Sequence, residues 1–518
     1  MKTFFRYRDK ILFLILILFI SGVLTVSLRG LPGNPTVPEL NLKTWKENGP
    51  FELSPERGRF ALTYSIVEDK SFYFSKSIAG FASPDVGIQN GHYVSLFAPL
   101  LSFIAIPGYL IGKYFGASQV GTFAVISLFA LFNFFLIRAI AIRLGSNKIA
   151  ATLGALVFLF ATPAFSYAVN LYQPHLSTFL ILLSIWALLK SKKVWVLILT
   201  FFLCALAIPL DYPNLILMFP IGIYALGRII SFNKIKNAIS VKISLLKTIT
   251  LIVMIIPILF FLWFNKASYG NPLQLSGTVQ TANFKPDTLE AKVPLQKVTN
   301  NDTEINKRSA LAFFDSRAIL NGFYIQFISP DRGIIYYTPV IILGILGAAL
   351  AFRKKLKMAT LFIAIISLNI LLYSMWKDPW GGWAFGERYL IPSFAILSIS
   401  IAILLTYWQK KVWFLLLFIF LFSYSVAVNT LGAITTSAMP PQVEVLALEK
   451  LSGTIQRYTY QRNWEFLIAG NSKSFVFETF AKKYMTSEEY FEILAGLIIL
   501  AGLSMTTVLW FQKGIHNE

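Results

Sequence analysis

Uncharged apolar runs recur along the whole of this chain, and each is long enough, at roughly 20 residues, to match the hydrocarbon thickness of a bilayer. The first is Ile11 to Leu28. Others follow at about 96–115, 118–137, 149–169, 174–189, 194–210, 212–230, 247–265, 334–352, 358–375, 389–408, 412–431 and 490–511, thirteen in all. Backbone in lipid must satisfy its own N–H and C=O groups, so such runs become helices. The fold class that follows is an all-α polytopic membrane protein. Charged residues make up 14% of the chain, well below the roughly 25% of a soluble domain. The single cysteine, Cys204, lies inside an apolar run, which excludes a disulfide framework and a cysteine metal site.

Charge placement orients the runs. Residues 1–10 are basic, and the run after them is too long for a signal-peptide core and lacks a good cleavage site. It reads as a retained span with the N-terminus in the cytoplasm. The run 96–115 is the doubtful one, because Pro107 and Pro99 each remove a helix hydrogen bond that lipid cannot replace. If it lies along the outer surface, residues 1–10, the connectors 138–148, 190–193, 228–247, 353–357 and 410–411, and the tail 512–518 all fall inside. Together they hold 22 Lys/Arg against two acids, Asp9 and Glu518, or +20 of the net +21. The positive-inside rule selects that arrangement. It predicts 12 spans in the plasma membrane with both termini cytoplasmic. Residues 1–431 form one transmembrane module, 432–489 an outer segment, and 490–518 the last helix and tail. The outer face then receives 29–117, 266–333, 376–388 and 432–489. The basic charge is a topology signal and excludes a nucleic-acid footprint.

The first outer loop is where acids gather. Leu53 to Val94 holds Glu56, Glu68, Asp69, Asp85 and His92, in a chain with 25 acids and 3 histidines. Carboxylates cluster poorly in membrane proteins unless they face water or do work. Gly58 to Asp69 places Phe60, Tyr64 and Val67 on one helical face, with Pro55 as a start signal, and predicts an amphipathic helix on the membrane surface. Glu56 would stand at its positive end, as a cap or as a catalytic carboxylate. Arg388 and Arg332 fall at outer ends of spans, at the depth of a lipid phosphate; their alternative is to snorkel or to pair with Glu387 and Asp331. His92 and His175 either pack or assist a substrate. Asp211 starts a helix or takes part in catalysis. Trp376, Trp380 and Trp383 form an interface belt or a floor for a sugar. The chain has no phosphate-cradling glycine loop, zinc spacing or serine-hydrolase elbow.

Several of these stretches occur together in one family. Glu56-Arg57-Gly58-Arg59-Phe60, then Gln89-Asn90-Gly91-His92-Tyr93-Val94-Ser95-Leu96-Phe97-Ala98-Pro99, open a series of motifs. It continues through Ala161-Thr162-Pro163 with His175, Asp211-Tyr212-Pro213, Tyr269-Gly270-Asn271-Pro272 and Ser329-Pro330-Asp331-Arg332-Gly333, and ends at Trp380 to Tyr389. Over roughly 50–430 the chain resembles the GT-C superfamily of membrane glycosyltransferases, and more narrowly prokaryotic members related to the protein O-mannosyltransferase and aminoarabinose transferase branches. The resemblance implies transfer of a sugar from a polyprenyl-phosphate donor to an envelope glycan, lipid or protein on the outer face. It implies Glu56 as catalytic base, Arg388, Arg332 and Arg59 on the donor phosphate, and Asp85, His92, His175, Trp383 and Glu387 near the substrate. The residues themselves call for no particular cofactor, and the resemblance leaves room for a divalent cation, Mg or Mn. Two departures stand out: Glu56 occupies the place of an Asp, and Leu96-Phe97 replaces an Asp-Lys pair. Rival readings are a transporter or lipid flippase, which would need more charge inside the spans, and a non-catalytic scaffold of the same fold.

Overall fold

The computed structural model describes residues 2–235, 238–284, 291–292 and 313–512. Much of 266–333, which the charge pattern predicts to be outside the membrane, including Asn300 to Asp302, falls beyond them. Each of the thirteen apolar runs is a helix or a broken helix. Five helices are long and apolar enough to cross a membrane: Ser118–Arg143, Leu245–Tyr269, Arg388–Trp408, Val412–Ile434 and Ser487–Phe511; the other apolar helices are shorter.

Proline accounts for much of the shortening. The run 149–169 stops at Phe160, turns at Pro163 and resumes as Ala164–Ala168. The run 334–352 breaks around Pro339. At the first break, the Ala161 carbonyl finds a side chain in place of a helical N–H, Thr338 Oγ1 donating to it at 2.6 Å, and His175 Nε2 lies 2.8 Å from the Ala164 oxygen. That is the compensation an apolar surrounding demands.

The helix Arg388–Trp408 runs through the middle, nearly every residue buried. Neighbouring helices approach it through small residues: a Cβ on Gly154 would stand 2.5 Å from the Ser398 oxygen, and one on Gly347 would stand 2.1 Å from that of Ser400. Such contacts let backbones close up where water supplies no driving force. Leu245–Tyr269 lies at the periphery, with Ile252, Ile256 and Leu259 exposed.

Hydrogen bonds sort the connectors into two ends. At one end the basic connectors meet: Asn147 N donates to Thr406 Oγ1, Lys410 to the Trp510 oxygen, Arg228 to the Ser191 oxygen and Lys247 to the Arg228 oxygen. At the other end, Arg29 follows α1 (Lys2–Ser27). Its guanidinium donates to the oxygens of Gly432 at 2.8 Å and Ala433 at 3.2 Å, and its amide to Val169.

Two loop features differ from the sequence reading. Helix α2 (Ser54–Tyr64) was expected to lie on the membrane surface; instead it is buried on most sides from Gly58 to Thr63. Phe51 and Tyr109 close over Phe60, with ring centroids 4.6 and 5.8 Å away. Thr63 and Ser102 both bond to the Arg59 oxygen. The all-α expectation also left out a small sheet. Strands β1 (Val86–Gln89) and β2 (His92–Ser95) form an antiparallel hairpin, and Gln280–Thr281 adds to the far side of β1. Asn90 and Gly91 both have positive φ, the turn that matches the twist of a two-residue hairpin. A second hairpin, Ile230–Ile235 with Ala238–Ile243, stands among the basic connectors.

Helix α3 (Leu100–Tyr114) covers the doubtful run. The Leu100 amide bonds to the Pro209 oxygen at 2.9 Å. At the far end of the helix, the Gly33 amide bonds to the Gly116 oxygen at 2.7 Å and Asn34 Nδ2 to the Lys113 oxygen at 2.9 Å. Gly108 and Gly112 press against Gly121 of α4 (Ser118–Arg143), while Leu110, Ile111 and Tyr114 are exposed.

Candidate active site

Two glutamates one helical turn apart on the way into α2 meet opposite fates. Glu52 has its oxygens filled: Arg29 Nη1 at 3.3 Å, Lys473 Nζ at 3.2 Å and the Ser437 amide at 2.8 Å. Burial alone would raise its pKa, but Lys473 and Arg29 hold it below the ordinary carboxylate value. Glu56 is fully buried, and neither carboxylate oxygen has a hydrogen-bond partner in the protein. Burial pushes its pKa up to about 8, against the pull of Arg29, Arg57 and the Leu53 backbone amide and with a further push from Glu52. A buried carboxylate without partners costs free energy, so it marks function more often than framework.

The surroundings of Glu56 are polar and unfinished. The charges of Glu56, Arg388 and Arg59 all act on Tyr172. The Tyr172 hydroxyl and both side-chain polar atoms of Asn170 are buried without partners. The guanidinium carbons of Arg388 and Arg59 lie 5.2 and 5.5 Å from the centre of the Tyr172 ring. Two cations therefore flank one ring.

Each arginine is held differently. Arg59 donates to the Pro55 oxygen at 2.9 Å and to Gln173 Oε1 at 2.6 Å, and Gln173 Nε2 in turn donates to Asp211 Oδ2 at 3.0 Å. Burial lowers the Arg59 pKa to about 10, which leaves it charged at neutral pH. Its guanidinium also lies 4.5 Å from the centre of the Phe97 ring. The replacement of the Asp-Lys pair thus puts an aromatic face where a charge was expected. Arg388 is only half-buried, its Nε makes no hydrogen bond, and it lies over Tyr389 as well as Tyr172. Burial raises Asp211 and Asp378, and in both the Arg388 charge opposes the shift.

The remaining sequence candidates are scattered. Arg332 is fully buried and gives its guanidinium N–H groups to the oxygens of Trp380, Asp331, Gly382 and Met439. It holds the 376–388 loop, and with four donors spent on carbonyls it is a strut, not a phosphate ligand. Glu387 is buried beside it, one oxygen on the Tyr389 amide and the other unpartnered, its pKa pushed up to about 8 by burial. Asp85 accepts from Ser54 Oγ at the start of α2. His92 is exposed and stacks on Tyr73, centroids 4.3 Å apart. His175 packs inside the bundle between Asn133 and Ala164, the bland reading the sequence left open. Trp383 donates its indole N–H to Glu444 at 2.8 Å. Among the described residues, no three His, Cys, Asp or Glu side chains gather as a cation site. Glu52 and Asp211 are each committed to other partners, Glu52 to Arg29 and Lys473 and Asp211 to Gln173.

Sequence reasoning passed over Tyr172 and Gln173. Their signal was a polar pair directly before Pro174, which starts a helix at the same end as Asp211. Arg29 and Lys473 carried no local signal, since Arg29 reaches Gly432 and Lys473 reaches Gly49 across some 400 residues.

No family model matches this chain, and no curated protein is similar to it. Among solved structures it is similar to ArnT from Cupriavidus metallidurans in the apo state, at 13% identity and a TM-score of 0.47, over 97% of this chain and 76% of that one. The same protein bound to undecaprenyl phosphate matches at 13% identity and a TM-score of 0.45, over 96% and 76%. The apo oligosaccharyltransferase of Archaeoglobus fulgidus matches at 12% identity and 0.33, over 94% and 56%.

Proposed function

We propose that this protein is a membrane glycosyltransferase that moves a sugar from a polyprenyl-phosphate donor to an acceptor hydroxyl of the cell envelope. The observation that carries the reading is Glu56: buried, unpartnered, with a pKa near 8, and sharing Tyr172 with two arginines. A general base works best when its pKa lies near the operating pH. In the reaction, the acceptor O–H passes its proton to the Glu56 carboxylate. The acceptor oxygen forms a bond to the anomeric carbon of the donor. The bond from that carbon to the phosphate oxygen breaks, and its electrons leave with the polyprenyl phosphate. Arg388, partly buried with its buried Nε uncommitted, and Arg59 supply the fixed cations that a leaving phosphate needs.

The reading places the site on the extracytoplasmic face of the plasma membrane, within 12 spans. Its support is the charge of the basic connectors, which cluster at the end of the bundle opposite Arg29, together with the hydrogen bonds of α3. Those bonds tie both ends of α3 to backbone beside α1 and beside Asp211. A helix crossing the bilayer would part those ends by the membrane thickness. The test compares glycolipids and glycoproteins from cells lacking the gene, cells restored with it, and cells restored with Glu56→Gln. A sugar modification that returns with the first restoration and not the second supports the proposal. An unchanged glycan profile in the deletion strain rules it out.

A further inference from the structure

We infer that a cavity beyond the end of α1, separate from the Glu56 cluster, is a binding site for a neutral carbohydrate. Its volume is about 560 Å³, within the range of about 300–1,000 Å³ typical of small-ligand sites. One wall comes from the turn after α1 and the stretch 44–50, the other from the 466–482 part of the outer segment.

The lining decides the ligand class. Lys473 and Lys482 face the cavity, but each already has a carboxylate, Glu52 at 3.2 Å and Glu478 at 2.9 Å. An anion entering here would meet matched charges, so a phosphate or sulfate gains little. Thr44, Asn48 and Asn471 are exposed on the rim. Their amides and hydroxyl both donate and accept, as sugar hydroxyls do. Phe466 is the aromatic surface, half-buried, with Lys473 Nζ 5.4 Å from its ring centre. A flat ring among amides suits the C–H face of a pyranose, whereas so polar a rim does not suit an acyl chain. The site is also built. Lys473 is 5% exposed and spends two of its three donors on Gly49 and Glu52, which leaves the third to the cavity. Glu52 joins this wall to the helix that carries Glu56.

The inference does not rest on the transferase reading, since binding is measured without donor or turnover. The full chain, held in lipid nanodiscs to avoid sugar-based detergents, is probed with maltotriose, mannotriose and chitotriose by saturation-transfer-difference NMR. At least one trisaccharide should give signal. Asn48→Ala should weaken its binding about fivefold, the loss expected for one neutral hydrogen bond, and Phe466→Ala should weaken it at least as much. Inorganic phosphate should not compete, and Arg388→Ala should bind as the parent does. Absence of signal from all three sugars overturns the inference, as does binding indifferent to both Asn48→Ala and Phe466→Ala. Displacement by phosphate makes this an anion site and overturns the neutral class. Loss of binding in Arg388→Ala moves the sugar to the Glu56 cluster and overturns the separate site. Failure of Glu56→Gln to affect glycan transfer leaves all of these outcomes as they stand.

Discussion

Glu56 is the residue on which chemistry and stability pull in opposite directions. If its carboxylate is the base, Glu56→Gln keeps shape but cannot take the proton, and sugar transfer should fall by roughly 10²–10⁴-fold. The parent rate constant kcat/KM should rise with pH towards about 8, as the carboxyl ionises, and the variant should lose that rise. Stability should move the other way. A folded-state pKa raised from 4.5 to about 8 means the native state holds the proton more tightly than the unfolded chain does. Native stability then falls as pH climbs through that window. Glu56→Gln should therefore melt higher than the parent, with the gain larger at pH 8 than at pH 5. Equal melting temperatures at both pH values, measured in nanodiscs, would show that the carboxyl costs the fold nothing. Arg388 gives a second residue-scale expectation. A guanidinium fork can match a phosphate bidentately, so Arg388→Lys, which keeps charge and loses geometry, should weaken donor binding about tenfold. Unchanged affinity in both the Lys and Ala variants reassigns Arg388 to packing against Tyr172 and Tyr389.

At the scale of elements, helices were legible and their breaks were half-legible. Apolar runs fixed where helices lie because lipid leaves the backbone no other closed structure. Pro163 and Pro339 lie at interruptions, but Thr338, whose hydroxyl answers the Ala161 carbonyl beside Pro163, is 177 residues away from it and could not be paired with it from the sequence. The hairpin at Asn90-Gly91 was legible and passed over: the dipeptide is a strong turn signal, obscured by its place in a longer motif. The burial of α2 was not legible, because its covering comes from Phe51 and Tyr109, on either side in sequence, and not from its own periodicity. The orientation of α3 is open to a direct check. With Cys204 replaced, single cysteines at His92 and Lys113 flank or end the run and should both react with an impermeant reagent added outside. Both positions carry accessible side chains. Reaction at only one of them puts the ends of α3 on opposite faces and removes the 12-span topology.

Across the whole molecule, one buried ionic knot ties distant segments. Glu52 joins Arg29 at the end of α1 to Lys473 in the 432–489 segment, and Arg29 reaches on to Gly432 and Ala433. Removing one member strands the others in a dry interior, a loss of about 3–5 kcal/mol. Glu52→Ala should lower the melting temperature far more than Glu478→Ala, which breaks only the exposed pair with Lys482. Comparable shifts in the two variants would deny the knot its structural role. Because the Glu52 pKa is lowered in the fold, its contribution is present above about 4.5 and fades as pH falls through the lower, folded value. The candidate site was legible in part for the same reason. Glu56 and Arg388 could be picked from the sequence, but what distinguishes Glu56 from Glu52 is that its neighbour took the available cations. Where Glu56 sits has a consequence for the living cell. On the proposed topology, the buried Glu56 carboxyl would exchange its proton with the outer side and not with the buffered cytoplasm. On the proposed reading, acid outside the cell would hold Glu56 in its protonated form and slow the enzyme, so that envelope modification would track the acidity of the habitat with no sensor protein and no change in gene expression.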